Sequence, residues 1–458
     1  MDAFKVPCHG ALLKSRGSTP LRAPNPFKLN SMFTLSPEQQ AAFDKIENSD
    51  KCQLVVGKPG VGKSVLIRHL MSVGQKHYSL AAPTGLAALN IGGKTLHSLL
   101  GIKPSEGIFQ SDYNNFSSND NVTRFIEHGL KHLIIDEISM VRADMLDYID
   151  RLLKTVKQSE LPFGGVQVIA FGDFFQLPPV AKSDDLRDLL KEGYQSEFAF
   201  KARAFKGFEV TVLEQVHRQS DPIFLKLLNN IRNGKVTGKD IAMINKRVEQ
   251  PTDIRVKLTP LNRQADQINQ NELRAIKSPA ETYKAIKYGY WPATPVDFLT
   301  LKVGAQVMIK KNGADRPPGH KGPFESSVVN GTLGKVLRLP TKEDPTVKVE
   351  VDGREVTIYK NRWERLEKQK NEDGRWEEKP VASFEQYPLQ LAWAISIHKC
   401  QGQTFEKVHI DPQSIFAAGQ FYVALSRAKS LEGVTLERGV SQRTFMVDKR
   451  VLSFMNNL

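Results

Sequence analysis

The sequence has few cysteines, no long apolar run and no excess of acid. Cys8, Cys52 and Cys400 are scattered over 458 residues with no Cys-x-x-Cys pair. That excludes a disulfide framework and a zinc ribbon, and points to a reducing compartment. No apolar window approaches the roughly 18 residues a membrane-spanning helix needs, so no membrane partner is expected. Acidic residues number 50 against 64 lysines and arginines, a formal charge of +14. Such a basic balance favours a polyanionic partner, nucleic acid ahead of a membrane surface. With 40% hydrophobic and 25% charged residues the composition is that of a globular protein. The length suits about three domains of roughly 150 residues.

Residues 1–31 carry Lys5, Lys14, Arg16, Arg22 and Lys28 against the single acid Asp2. Pro7, Pro20, Pro24 and Pro26 interrupt any helix, which argues against a signal or transit peptide. A flexible basic arm is expected there.

What is present begins at Gln53. A short apolar run, Gln53 to Val56, leads into Gly57-Lys58-Pro59-Gly60-Val61-Gly62-Lys63-Ser64, and then into a helical pattern through Leu66, Ile67 and Leu70. This is the phosphate-binding loop G-x-x-x-x-G-K-S in its strand-to-helix context. Pro59, Gly60, Val61 and Gly62 shape a cradle of backbone N–H groups at a helix N-terminus. Lys63 is placed to reach the β- and γ-phosphates of ATP, and Ser64 to ligate Mg²⁺. A second apolar strand, His132 to Ile135, ends in Asp136 and Glu137. In such folds the first acid holds Mg²⁺ and the second polarises the attacking water. A third strand, Val166 to Phe171, precedes Gly172-Asp173-Phe174-Phe175-Gln176, which puts Gln176 just past a strand's C-terminal end, where ligands bind. These motifs alone describe a nucleotide hydrolase with a parallel α/β core.

Further segments carry a resemblance. Leu35-Ser36-Pro37-Glu38-Gln39, the Ala82 to Gly93 run, Thr95 to Ser98, the stretch from Asp136 to Val180, Leu391 to Thr404 and Tyr422 to Ala428 follow one another in family order. Together they resemble the PIF-one (petite integration frequency) DNA helicases of superfamily one, over about residues 34 to 440. The resemblance implies an α/β fold of two RecA-like P-loop domains with parallel sheets. It implies a small wedge insertion in the first domain and an SH3-like β insertion in the second. The expected division is 32–215 for the first domain, with 98–130 as the wedge. The second domain takes 216–290 and 385–458, and the β insertion takes 291–384.

The implied activity is ATP-dependent 5′-to-3′ unwinding of DNA in replication, recombination or repair. By the same resemblance Gln39 reads adenine, Gly402 joins the nucleotide site, and Arg218 and Arg427 are arginine fingers. Thr84, Thr95 and His97 in the first domain, and Asn262, His398 and Lys399 in the second, face single-stranded DNA. The implied partners are single-stranded DNA, 5′-tailed duplex or fork, and a single-strand-binding or replisome protein. A monomer is expected, in the cytoplasm of a bacterium or phage-infected cell, with nucleus or mitochondrion as the alternative. Two other functions stay open: an ATP-switched remodelling or loading factor without processive unwinding, and an RNA or hybrid helicase.

In the middle of the chain, a helix is predicted from Pro222 to Arg232 and a strand from Val256 to Thr259. Val347–Val351 and Glu355–Tyr359 read as a hairpin through Asp352-Gly353, a strong turn signal. A second hairpin tip is expected at Asn371-Glu372-Asp373-Gly374. Phe109, Tyr113 and Phe116 lie in the wedge, each either a strand-separating pin or a filler of that subdomain's core.

Overall fold

A computed structural model describes residues 34–102, 120–181, 183–217, 221–250, 253, 255–289, 297–320, 326–370 and 376–458. The basic arm, Arg218, the three wedge aromatics and the tip at 371–374 therefore lie outside the described residues.

The first helix, Pro37–Glu47, opens with proline at its first turn and a reciprocal capping box between Ser36 and Gln39. Six parallel strands follow in the spatial order Lys94–Thr95, Tyr78–Ala82, His132–Ile135, Gln167–Gly172, Gln53–Gly57, Glu209–Leu213. Their apolar runs are continuous because the sheet is covered on both faces. Alternation divides them: Leu54, Val56, Leu133, Ile135, Val168 and Ala170 pack into one core, against the helix Ala143–Lys157. Val55, Ile134, Ile169 and Phe171 pack into the other, with Leu66, Ile67 and Leu70 of the helix Lys63–Val73. Every strand thus ends its apolar run at the same edge, and that edge carries the Gly57–Ser64 loop, Asp136 and Gln176.

A second parallel sheet has the order Ala394–Ser396, Val256–Thr259, Val408–Ile410, Val434–Leu436. The helix Pro222–Arg232 matches its predicted span and is capped by Asp221. Between the first two strands of this sheet in the chain comes a β region. Its main sheet is antiparallel, in the order Arg354–Ile358, Val347–Val351, Leu333–Arg338, Gln306–Ile309, Leu389–Leu391. Asp352 and Gly353 have φ of 49° and 75°, the left-handed pair that the Asp-Gly turn requires. The β character begins at Ala280 rather than near Trp291, because Ala280–Lys284 pairs with Phe298–Lys302. The strands Asn361–Lys370 and Trp376–Gln386 pair as far as Lys370 and Trp376, flanking the expected tip.

Candidate nucleotide and nucleic-acid site

In the phosphate loop, Gly60 and Gly62 have φ of 87° and 84°, and Gly62 caps the helix that begins at Lys63. A Cβ at Gly57 would lie 2.8 Å from the carbonyl oxygen of Leu213, so glycine is needed there for close approach. Lys63 Nζ donates to the carbonyl oxygens of Gly57 (2.6 Å) and Lys58 (3.1 Å), which keeps the ammonium over the cradle. Pro59 and Val61 are buried within the loop, while Ser64 is exposed at the first helical turn.

Gln39 is buried behind this loop. Its Oε1 accepts from the Ser36 backbone N–H (2.9 Å), and its Nε2 donates to the Val61 carbonyl (2.9 Å). It braces the cradle as well as standing where adenine recognition is expected.

Asp136 and Glu137 follow the buried strand His132–Ile135. Asp136 Oδ1 accepts from the Glu137 N–H at 2.9 Å. Burial and the Glu137 charge push the Asp136 carboxyl up; burial raises Glu137, opposed by Lys63 and Arg427. Glu137 sits at φ 55°, a left-handed conformation rare for a non-glycine residue, which turns its carboxylate toward the second sheet. The hard oxygens of Ser64 and Asp136, beside a phosphate cradle, fit a small divalent cation that takes further oxygens from phosphates.

Facing these groups is the second sheet's loop Ile397–Thr404 and the helix Gln420–Leu425. Gln401 Nε2 donates to Glu137 Oε2 at 2.9 Å. Arg427 is 1% exposed and donates to the carbonyls of Val423 (3.0 Å) and Gln403 (3.2 Å) and to Ser426 Oγ (2.9 Å). These bonds hold three of its five N–H donors within its own domain, and its charge acts on Glu137. Gly402, at φ 78°, lies against Asn90 of the first domain. Gln176 Oε1, Gln401 Oε1 and both amide atoms of Gln403 are buried without a hydrogen-bond partner. Each such atom costs about 1–3 kcal/mol unless a ligand, ion or water pairs it. Leu225, Leu228, Tyr422 and Ser426 close over Lys58 and Pro59, leaving a gap of about 10 Å³.

Sequence reasoning missed Gln401 and Arg232. Arg232, at the end of the helix Pro222–Arg232, donates to Asp173 Oδ1 (3.1 Å) and lies 4.1 Å above the Phe175 ring. Both follow from the position of one domain on the other, for which no short motif exists. A Gln in a loop already assigned to the family motif was the available signal for Gln401.

On the expected strand-binding side, Thr84 and Thr95 each accept locally, from the Ala87 and Ser98 N–H groups at 3.2 Å, capping short helices. Burial lowers the pKa of His97 and of His398, which favours the neutral imidazole in both. Ser396 Oγ donates to Asn262 Oδ1 (2.5 Å) and accepts from the Lys399 N–H (3.4 Å), so two of the three expected second-domain residues share one network at the end of the strand Ala394–Ser396. Lys310 stands beside Lys399 and Cys400; burial, then the charge of Lys399, pushes its amine down to about 8. Asn330 of the β region donates to Asn90 Oδ1 at 3.2 Å, bringing that region against the first domain. Burial pushes Cys400 up to about 12 and Cys52 to about 11, which leaves both thiols inert.

Residues 34–241 match the family described as PIF1-like helicase. The chain is 33% identical over 433 residues to the ATP-dependent DNA helicase Pif1 of Bdellovibrio bacteriovorus, covering 92% of this chain and 91% of that one. The crystal structure of Bacteroides sp Pif1 in complex with ADP-AlF4 superposes with a TM-score of 0.81 at 33% identity, covering 93% of this chain and 97% of that one. Bacteroides Pif1 bound to ssDNA, at the same coverage and 34% identity, gives 0.66. The chain belongs to the PIF1-like helicase family.

Proposed function

From that membership we propose how this chain works: it is an ATP-dependent DNA helicase, and its cleft between two parallel-sheet domains is the motor. The observation that carries this reading is the meeting of Lys63, Asp136 and Glu137 from one domain with Gln401 and Arg427 from the other across a single seam. Among the described residues no helix is long and apolar enough to cross a membrane. We place the protein in the cytoplasm of a bacterium or phage-infected cell.

In this reading Pro59 to Ser64 hold the triphosphate, and Gln39 and Gly402 border the base and sugar. Ser64 and Asp136 would hold Mg²⁺, which when bound would neutralise charge at the phosphates. Glu137 accepts a proton as the water oxygen bonds to the γ-phosphorus; the bond from that phosphorus to the β–γ bridging oxygen breaks, and ADP and phosphate leave. Arg427 and Arg218, with Gln176, stabilise the charge that builds on the γ-phosphoryl group. Nucleotide can shift the open–closed balance of the two domains only as far as it binds one arrangement better. Thr84, Thr95 and His97, opposite Asn262, His398 and Lys399, grip one DNA strand through phosphates and stacking, which makes binding salt-sensitive. The β region, from about Ala280 to Leu391, is the SH3-like insertion of the second domain.

We infer 5′-to-3′ polarity and a monomeric motor acting on tailed or forked DNA in replication, recombination or repair. The test is strand separation on two duplexes that differ only in a 5′ or 3′ single-stranded tail, with ATP and Mg²⁺ and with Lys63→Ala as control. Unwinding of the 5′-tailed duplex alone, lost in Lys63→Ala, is the expected result. Unwinding from the 3′ tail would reverse the polarity. Hydrolysis stimulated by DNA without strand separation would point to a loading factor.

A further inference from the structure

Gln401 is neither a nucleotide ligand nor a strand-gripping residue in the scheme above. Its amide nitrogen nevertheless lies 2.9 Å from Glu137 Oε2, across the seam between the two sheets. It stands two residues after Lys399 and three after His398, on the loop that follows the strand Ala394–Ser396. One end of a short loop is thus tied to the strand-binding network through Ser396 and Asn262, and the other end to the carboxylate expected to activate water.

We propose that Gln401 is a positioning residue that restrains Glu137 while no DNA is bound and lets it go when a strand phosphate settles on the loop. Strand binding thereby switches on ATP hydrolysis. The proposal rests on the helicase reading above.

Four observations support it. The amide hydrogen of Gln401 occupies a lone pair of the carboxylate that must accept a proton from water, so a water cannot use that lone pair while the contact holds. Gln401 Oε1 and both amide atoms of Gln403 are buried without partners, so this loop conformation leaves polar groups unmatched that a second conformation can pair. On the other side of the loop, Lys310 and Lys399 set two cations side by side, an arrangement that a phosphate between them relieves. The chain as a whole superposes better on the Bacteroides ADP-AlF4 complex, with a TM-score of 0.81, than on the ssDNA-bound structure, with 0.66.

The test compares wild type and Gln401→Ala for ATP hydrolysis without DNA and with saturating single-stranded oligothymidine. Removing one hydrogen bond to a charged group is expected to raise the DNA-free rate by roughly three- to tenfold. The ratio of stimulated to unstimulated rate should fall by a similar factor. Gln401→Leu, which keeps the bulk of the side chain but carries no donor, should raise the DNA-free rate as well. Oligothymidine affinity, read by fluorescence anisotropy, reports whether each variant is folded. A DNA-free rate in Gln401→Ala that is unchanged, or lower in step with the stimulated rate, overturns the proposal while leaving the helicase reading in place. A wild-type protein whose hydrolysis does not respond to oligothymidine overturns both.

Discussion

Arg450, in the last helix of the chain, reaches Glu197 with two parallel hydrogen bonds of 3.0 Å each, joining the second-sheet side of the molecule to the first. Its guanidinium also lies 4.9 Å from the Phe198 ring centre. One turn further on, Phe454 stacks on Phe200 at 4.3 Å and meets Phe174 and Phe205 edge-on. The helix Lys449–Asn456 is therefore a strap across the two domains, fixed by one fork-shaped ion pair and one aromatic cluster.

Removing the ring should cost more than removing the charge. Phe454→Ala is expected to lower the unfolding free energy by about 2–3 kcal/mol, somewhat below a fully buried phenylalanine because Phe454 is half-buried. Arg450→Ala, which loses a partly exposed pair, should cost about 1 kcal/mol. Denaturant unfolding of the two variants checks the order; equal losses would mean that the strap is held mainly by charge.

The pair of Arg232 and Asp173 is a different case, since Asp173 is fully buried. Arg232→Met leaves that carboxylate without its cation and should destabilise by about 3–5 kcal/mol. Arg232→Met together with Asp173→Asn should recover much of the loss. Thermal unfolding of the single and double variants measures the difference.

Gly419 has φ 78°, and a Cβ there would lie 2.5 Å from the Gln176 carbonyl oxygen and 2.7 Å from that of Phe175. Backbone atoms cannot yield as a side chain can. Gly419→Ala should push the helix Gln420–Leu425 away from Gln176 and lower ATP hydrolysis by about tenfold or more. Hydrolysis at the wild-type rate would show that Gln176 acts without this close apposition.

Lys310 should make DNA binding depend on pH. Burial, then the charge of Lys399, pushes its amine down to about 8, and the neighbouring Cys400 thiol, pushed up by burial, stays neutral in this range. Affinity for oligothymidine should fall as pH rises from 7 to 9, and binding near pH 8 should take up a proton. Stability moves the other way. The unfolded chain binds more protons between about pH 8 and 10.5, so the cost of burying this amine is full below pH 8 and fades above it. Lys310→Met should flatten both trends, as anisotropy titrations and denaturation at the two pH values would show.

What the sequence alone determined were features with a local cause. The Gly57–Ser64 loop, the strand ending at Asp136, the helix from Pro222 to Arg232 and the Asp352-Gly353 turn each follow from glycine stereochemistry, capping or apolar periodicity within a dozen residues. Membership of the family was legible because several such segments fall in one order. The start of the β region at Ala280 was missed because Ala280–Lys284 is polar and exposed, and only its pairing with Phe298–Lys302 makes it a strand. Tertiary structure decided the rest. Gln401 meets Glu137 across 264 residues and Arg450 meets Glu197 across 253. A glutamine, an arginine or a phenylalanine carries no mark of its partner in its own neighbourhood. Which pairs meet depends on how one sheet packs against the other, and that is set by the summed packing of both domains rather than by any short run of residues.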